Sequence, residues 1–315
     1  MEASLLIPTQ EILYRRPFQF DEIQWPIVPF TTERTALKGH RAAKGGVGLP
    51  QQVNLCYAFL PIIHREPLRI SDFNMSLQNK IVVVTGGATG IGFALAQSFA
   101  EKGALVVIGS RRQSAIDEAV QKSVGKLHGK AVDVGNRDEV NQFISWVEST
   151  VGPVDILVNA AGVNIKDRTM AAMQPEQWDQ VMQINATGAY NCIHAVLPGM
   201  KNRKSGFIVN ISSVTGKRAI ALGGVAYAAS KFAMTALGTC VANEVGGEGI
   251  RVTNVYPGEV DTPILDHRPV PVTEAHRQSI LRPEDIAQVV VALVDTPARV
   301  HVPEIVIKPV HQSYY

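Results

Sequence analysis

KIVVVTGGATGIGFALAQSFAEKG, residues 80–103, decides the fold. Ile81 to Val84 are β-branched without a break, the pattern of a short strand buried on both faces. Gly86, Gly90 and Gly92 follow at once, and FALAQSFAEKG then takes up a helical period. Glycines placed there allow a tight turn, close approach of the backbone to a pyrophosphate, and tight packing of helix on strand, with the phosphates at the helix N-terminus. A strand, a glycine-rich turn and a helix in that order point to a dinucleotide. No GKS or GKT ending follows, which disfavours a nucleoside-triphosphatase loop.

Working outward, further short apolar runs appear at ALVVIGS (104–110), KAVDV (130–134), DILVN (155–159), GFIVNIS (206–212), IRVTNVYP (250–257) and PEIVIK (303–308). Each except the last leads into a segment of helical period or a loop before one. Such strands alternating with helices predict an α/β fold, a doubly wound parallel sheet of seven strands (Rossmann fold) with helices on both faces.

The N-terminal part reads differently. Residues 1–74 hold 7 of the 18 prolines, 7 acidic and 8 basic side chains, and no sustained period of 2 or 3.6. A boundary is expected near Met75, dividing an irregular N-terminal extension (1–74) from a single domain (75–315). The extension reads as a flexible tail, a partner-binding arm, or the product of an upstream start. Residues 1–20 lack a basic start running into an apolar stretch, and no apolar run approaches the roughly 20 residues that cross a bilayer, so a cytoplasmic protein with no membrane partner is expected.

Composition narrows the partners. The 315 residues are 46% hydrophobic and carry a formal charge of +2 without a long basic run, which argues against nucleic acid and for a small-molecule substrate. Cys56, Cys192 and Cys240 are odd in number and far apart, which argues against a disulfide frame or a zinc site. None of the histidines forms a ligand cluster, so no metal is expected.

The second strand ends in Ser110, Arg111 and Arg112, where an NAD-specific protein carries an acid for the ribose 2′-hydroxyl. A hydroxyl and a guanidinium there suit a 2′-phosphate, so NADP (NADPH) is expected in preference to NAD. Further on, YAASK places Tyr227 and Lys231 on one face of a helix, four residues apart. A fixed ammonium lowers the pKa of a nearby phenol, which fits Tyr227 for acid–base work.

Taken together these residues resemble the classical short-chain dehydrogenase/reductase family, over about residues 76–310. That family's TGxxxGxG pattern sits at Thr85–Gly92, which adds Thr89 and Ile91 to the cofactor contacts. Its adenine-contacting pair is similar to Asp133-Val134. Its NNAG turn reads here as NAAG, Asn159 to Gly162, with Ala160 a departure that loosens a structural hydrogen bond but removes no catalytic group. The helix asparagine corresponds to Asn185, the catalytic serine to Ser213 rather than Ser212, and the Tyr and Lys to Tyr227 and Lys231. YPGEVDT matches the segment whose Pro257, Gly258, Val260 and Thr262 would hold the nicotinamide end.

The resemblance implies hydride transfer between a nicotinamide and a ketone or secondary alcohol. Ser213 would hold the substrate oxygen and Tyr227 would exchange its proton. Lys231 would bind the nicotinamide ribose, and Asn185 would position a water between Lys231 and solvent. It further implies a homodimer or homotetramer paired through the helices that carry Asn185 and Tyr227. The C-terminal part looks like the NADP-dependent 3-hydroxy acid dehydrogenases and 3-oxoacyl reductases. His267, Arg268, His276 and Arg277 in the loop after Thr262, with Lys217 and Arg218, mildly favour an acidic substrate; His267 and His276 themselves are expected to be solvated. The alternative is a non-catalytic NADP-binding regulator that keeps the fold, for which the extension leaves room.

Overall fold

Strand β1 (Ile81–Thr85) is buried at every position, and the alternation of its side chains builds both halves of the core. Val82 and Val84 face one way, Ile81 and Val83 the other, and each pair joins a separate apolar cluster. The computed structural model of the chain describes residues 77–123, 125 and 127–313. The expected extension over 1–74, Cys56 and the boundary at Met75 lie outside the described residues.

The other strands are β2 (Leu105–Ser110), β3 (Leu127–Ala131), β4 (Ile156–Asn159), β5 (Gly206–Ile211), β6 (Ile250–Pro257) and β7 (Glu304–Ile307). The helices are α1 (Gly90–Glu101), α2 (Gln113–Lys122), α3 (Arg137–Thr150), α4 (Pro175–Met182), α5 (Gly188–Arg203), α6 (Val225–Val245), α7 (Glu274–Ser279) and α8 (Pro283–Val294). All seven strands are parallel, in the order β3-β2-β1-β4-β5-β6-β7. Residues of α1, α2 and α8 cover one face and residues of α3, α5 and α6 the other. Each fully buried valine or isoleucine contributes about 1.5–3 kcal/mol, so runs such as Val106 to Ile108 hold the sheet between its layers. The order of the strands reverses between β1 and β4, and in such folds a ligand lies beyond the carboxyl ends of the strands at that point.

Six strands fall within one residue of the positions read from sequence; the third does not. It was expected over 130–134 and runs instead over Leu127–Ala131. β3 is an edge strand paired only with β2, so it needs few apolar side chains. Val132 and Val134 are buried for another reason: Val132 packs by Phe143, and Val134 lies so close to Gly188 that a Cβ there would come within 2.6 Å of it.

Among the described residues, the helix Val225–Glu248 is, by length and composition alone, apolar enough to cross a membrane, although Lys231 interrupts its apolar stretch. One face of α6 buries Ser230, Lys231 and Met234, and the other exposes Val225 and Phe232.

A polar row crosses the apolar sheet under α6. Asn159, Asn210 and Asn254 occupy paired positions on β4, β5 and β6. Asn159 Nδ2 donates to Asn210 Oδ1 at 2.9 Å, and Asn210 Nδ2 to Asn254 Oδ1 at 3.1 Å. Asn254 Nδ2 ends the row on Thr235 O and Thr239 Oγ1 of α6. Gly238 lets the helix come down on these amides, since a Cβ there would stand 2.2 Å from Asn254 Oδ1.

Candidate active site

The carboxyl ends of the central strands open into a cavity of about 680 Å³. At one end lies the glycine turn between β1 and α1. Gly86 has φ +66°, and a Cβ on it would meet the Ala161 backbone at 2.7 Å, so only glycine lets the turn and the β4 loop come together. Thr89 is the N-cap of α1 but makes no side-chain cap, and the first turn has no acidic residue. The positive end of that helix dipole is thereby left for an anion among Gly90, Ile91 and Gly92, which line the cavity.

Ser110, Arg111 and Arg112 follow β2 and line the same cavity, both arginines exposed. Asp133 and Val134 form another wall; Asp133 Oδ1 accepts from Gly135 N at 2.9 Å, which fixes that turn. Ala160, Gly162, Pro257, Gly258, Val260 and Thr262 complete the lining of this half. This half has the grammar of a dinucleotide site: backbone amides and a helix end for the pyrophosphate, and cations for a further phosphate.

At the other end, Ser213 follows β5, and its Oγ accepts from Thr215 N at 3.1 Å at the start of a short 3-10 turn, Val214–Gly216. Tyr227 reaches it from α6. Burial raises the Tyr227 pKa, while a hydrogen bond with Ser213 and the charge of Arg168 pull it down. Lys231, one turn on, is buried, with Nζ donating to Ile211 O at 2.8 Å and lying 5.7 Å from the Tyr227 ring centre. Burial pushes that amine down from 10.5 to about 7. Arg168 is thus a second cation acting on Tyr227, beside the Lys231 amine that lies over its ring. Ser212 is separated from Ser213 by its contacts: its Oγ donates to Lys231 O at 3.1 Å and meets Thr235 Oγ1 at 3.2 Å, so it fastens α6 to β5.

The family described as short chain dehydrogenase matches residues 80–270. The chain belongs to the short-chain dehydrogenase/reductase family. Among its relatives is the 3-oxoacyl-acyl-carrier-protein reductase FabG of Thermotoga maritima, 34% identical over 227 residues that cover 70% of this chain and 92% of that one. A serine dehydrogenase complexed with NADP+ is 29% identical with a TM-score of 0.68, over 74% of this chain and 96% of that one. The 3-ketoacyl-(acyl-carrier-protein) reductase of Brucella melitensis complexed with NADH is 26% identical with a TM-score of 0.69, over 75% and 99%. The chain is an oxidoreductase of the kind that binds a nicotinamide cofactor.

Two of the residues assigned to this short-chain dehydrogenase/reductase site from sequence do not line the cavity. Asn159 turns its side-chain amide into the asparagine row of the sheet. Asn185 is fully buried in a wide helical turn, Gln183–Thr187. Its Oδ1 accepts from Val163 N at 2.8 Å, and its Nδ2 donates to Val163 O and Ser230 Oγ, both at 3.0 Å. The side chain thus ties the β4 loop to α6, with one oxygen lone pair remaining.

The loop cations are also placed differently from the expectation. Glu259 Oε2 meets Arg268 at 3.3 Å and His276 Nε2 at 2.5 Å, while Arg277 bridges Asp261 at 2.6 Å and Asp266 at 2.7 Å. Lys217 pairs with Glu304 and lies over the Tyr256 ring. His276 is therefore hydrogen-bonded to Glu259 while its ring stays partly exposed, and His267 is exposed. Thr262 precedes the 3-10 turn Pro263–His267 and makes no side-chain cap there.

The cavity also holds residues that no motif pointed to. Arg168 and Asn164 come from the β4–α4 loop, Leu222 from the loop before α6, and Gln312 from beyond β7, where its Oε1 accepts from Glu259 N at 3.0 Å. They sit on irregular segments brought together only by the fold, so neither period nor spacing marks them.

Proposed function

We propose that this oxidoreductase interconverts a ketone and a secondary alcohol, using NADP(H) in preference to NAD(H), on a small 3-oxo or 3-hydroxy acid or acyl substrate. The observation that carries the reading is the Ser213–Tyr227 pair, hydrogen-bonded in the same cavity as Lys231 and the glycine turn. When bound, the nicotinamide supplies or takes the hydride. Ser213 holds the substrate oxygen and Tyr227 gives it a proton in reduction or takes one in oxidation. Lys231 binds the ribose hydroxyls, and Asn185 holds the loop and helix that place these groups.

Arg111, with Ser110 as a second donor, is the preferred partner of a 2′-phosphate; charge-assisted hydrogen bonds of about 1.5–3 kcal/mol give roughly ten- to a hundredfold preference for NADPH. FabG-like relatives support the oxo-acyl reading of the substrate. The free thiols of Cys192 and Cys240 support a reducing, cytoplasmic setting. Exposed Tyr190 on α5 and Phe232 on α6 support pairing of these helices in a homodimer or homotetramer.

The test is catalytic efficiency with NADPH and NADH across a panel of ketones and 3-oxo esters, for the wild type, Ser110→Asp and Tyr227→Phe. Expected are a preference for NADPH that Ser110→Asp reverses, and near-complete loss of turnover in Tyr227→Phe with NADPH binding kept. Equal use of both cofactors by the wild type would remove the 2′-phosphate assignment, and an active Tyr227→Phe would remove the mechanism.

A further inference from the structure

Arg168 stands apart from the other cations around the substrate end of the cavity. It is 9% exposed. Its Nε donates to Ile165 O at 2.9 Å, one Nη to Leu222 O, and the other Nη to His267 O at 3.0 Å. These acceptors belong to three segments: its own loop, the loop before α6, and the turn after Thr262. All are neutral carbonyls. Among the described residues no carboxylate pairs with Arg168, whereas Arg268 and Lys217 each have one and Arg277 has two. Three of the five guanidinium N–H donors are engaged, which leaves two.

A buried cation without a counter-ion is an expensive thing for a fold to keep, and neutral carbonyls only partly offset its desolvation. A guanidinium has donors enough for all three loops with two to spare, where a neutral amide side chain has two in all. What the guanidinium adds is a permanent charge in the wall of a cavity that also holds Tyr227. Its location is rigidly tied to that tyrosine, because Val225 N, two residues before Tyr227, donates to Arg168 O at 3.1 Å. Gly224 packs against it with φ +82°, and a Cβ there would stand 2.6 Å from the Arg168 Cβ.

We propose that Arg168 recognises a carboxylate on the substrate, so that the ketone reduced at Tyr227 is a small oxo acid and not a neutral ketone or an acyl thioester. The inference rests on the reductase reading above and deepens it. The carboxylate supplies the missing counter-charge, and the planar fork presents its remaining donors to both carboxylate oxygens. Glu259, a carboxylate lining the cavity, is already paired with Arg268 and hydrogen-bonded to His276.

The probes are sodium butanoate and butanamide, which have the same shape and differ in charge, titrated calorimetrically into enzyme saturated with NADPH. Wild type is expected to bind butanoate at least about tenfold more tightly than butanamide, the yield of one or two charge-assisted hydrogen bonds. Arg168→Met is expected to abolish that difference and Arg168→Lys to reduce it. Turnover is measured in parallel with acetoacetate and methyl acetoacetate, and Arg168→Met should lower efficiency with the acid at least about tenfold more than with the ester.

Equal binding of the two probes by wild type, or an unchanged preference in Arg168→Met, overturns the proposal; a parallel fall with acid and ester shows a loop clamp only and does the same. Should Arg168→Met fail to fold, an undiminished preference in Arg168→Lys counts against it. Failure to reduce either ketone would sink the reductase reading, while the butanoate comparison would still decide the role of Arg168.

Discussion

Lys231→Met exchanges a buried amine for an uncharged side chain of similar length, and the structure predicts that the enzyme becomes more stable as it loses activity. The residue is 4% exposed and its amine is lowered from 10.5 to about 7. At about 1.4 kcal/mol for each tenfold change in proton affinity, keeping this group in the fold at pH 7 costs roughly 4 kcal/mol. Against that gain, Ile211 O loses its donor, a loss of about 1–3 kcal/mol. The net stabilisation is about 2 kcal/mol, or roughly 4–8 °C in Tm for a domain of this size. Its sign with pH follows from proton counts. Between about 7 and 10.5 the unfolded chain holds a proton on Lys231 that the folded chain has given up, so wild-type stability rises with pH through that window. Below pH 7 both states are protonated and the contribution is flat. The advantage of Lys231→Met should therefore be largest at neutral pH and below, and shrink as pH approaches 10. Thermal melts of both proteins at pH 7 and pH 9.5, followed by circular dichroism, provide the comparison. A variant less stable than wild type at pH 7, or an advantage that does not shrink, would refute the reasoning.

Four further predictions concern other parts of the structure. Ser212→Ala should cost about 1 kcal/mol in urea denaturation, by loss of its bond to Lys231 O, and leave turnover nearly intact. Ser213→Ala should lower turnover about a hundredfold. It should also move the rising pH limb of alcohol oxidation to higher pH, because the hydrogen bond that lowers the Tyr227 pKa is gone; an unmoved limb would contradict that coupling. Gly238→Ala should destabilise by about 1–3 kcal/mol despite alanine's better helix propensity, since its Cβ meets the Asn254 and Asn210 amides at 2.2 and 2.5 Å; equal or higher stability in urea would show that α6 lifts freely. A shortened chain beginning at Met75 should fold and keep its activity, because the seven strands and the cavity lie within residues 77–313; insolubility would move the domain boundary upstream.

Much of this architecture was legible because a parallel sheet covered on both faces demands unbroken apolar strands, and KIVVVT, DILVN and IRVTNVYP have no other obvious use. The third strand was misread for the complementary reason. LHGKA sits at an edge where polarity is tolerated, while the more apolar Val132 and Val134 beyond it serve the packing of α3 and α5. Motif spacing located Ser213, Tyr227 and Lys231 in one cavity because the pair on α6 is fixed by helical geometry. It gave no sign that the Asn159 side chain turns into the asparagine row. Arg168 and Gln312 were invisible for want of a local pattern, since each acquires its neighbours only when distant loops converge. The pairing of His276 and Arg268 with Glu259 was equally out of reach, as a count of loop charges does not say which are cancelled.

The asparagine row has a consequence for how this chain finds a single structure. Valine and isoleucine strands are nearly interchangeable partners, and a parallel strand buried on both faces loses little apolar contact if it slips along its neighbour. A slip at β4, β5 or β6 would instead strand Asn159, Asn210 or Asn254 among hydrocarbon, each unmade amide bond costing about 1–3 kcal/mol. The row therefore works as an alignment key: it adds little to the depth of the native well but raises the energy of its closest competitors. It lies under the helix that carries Tyr227 and Lys231, where a slip in register would be most damaging to the chemistry.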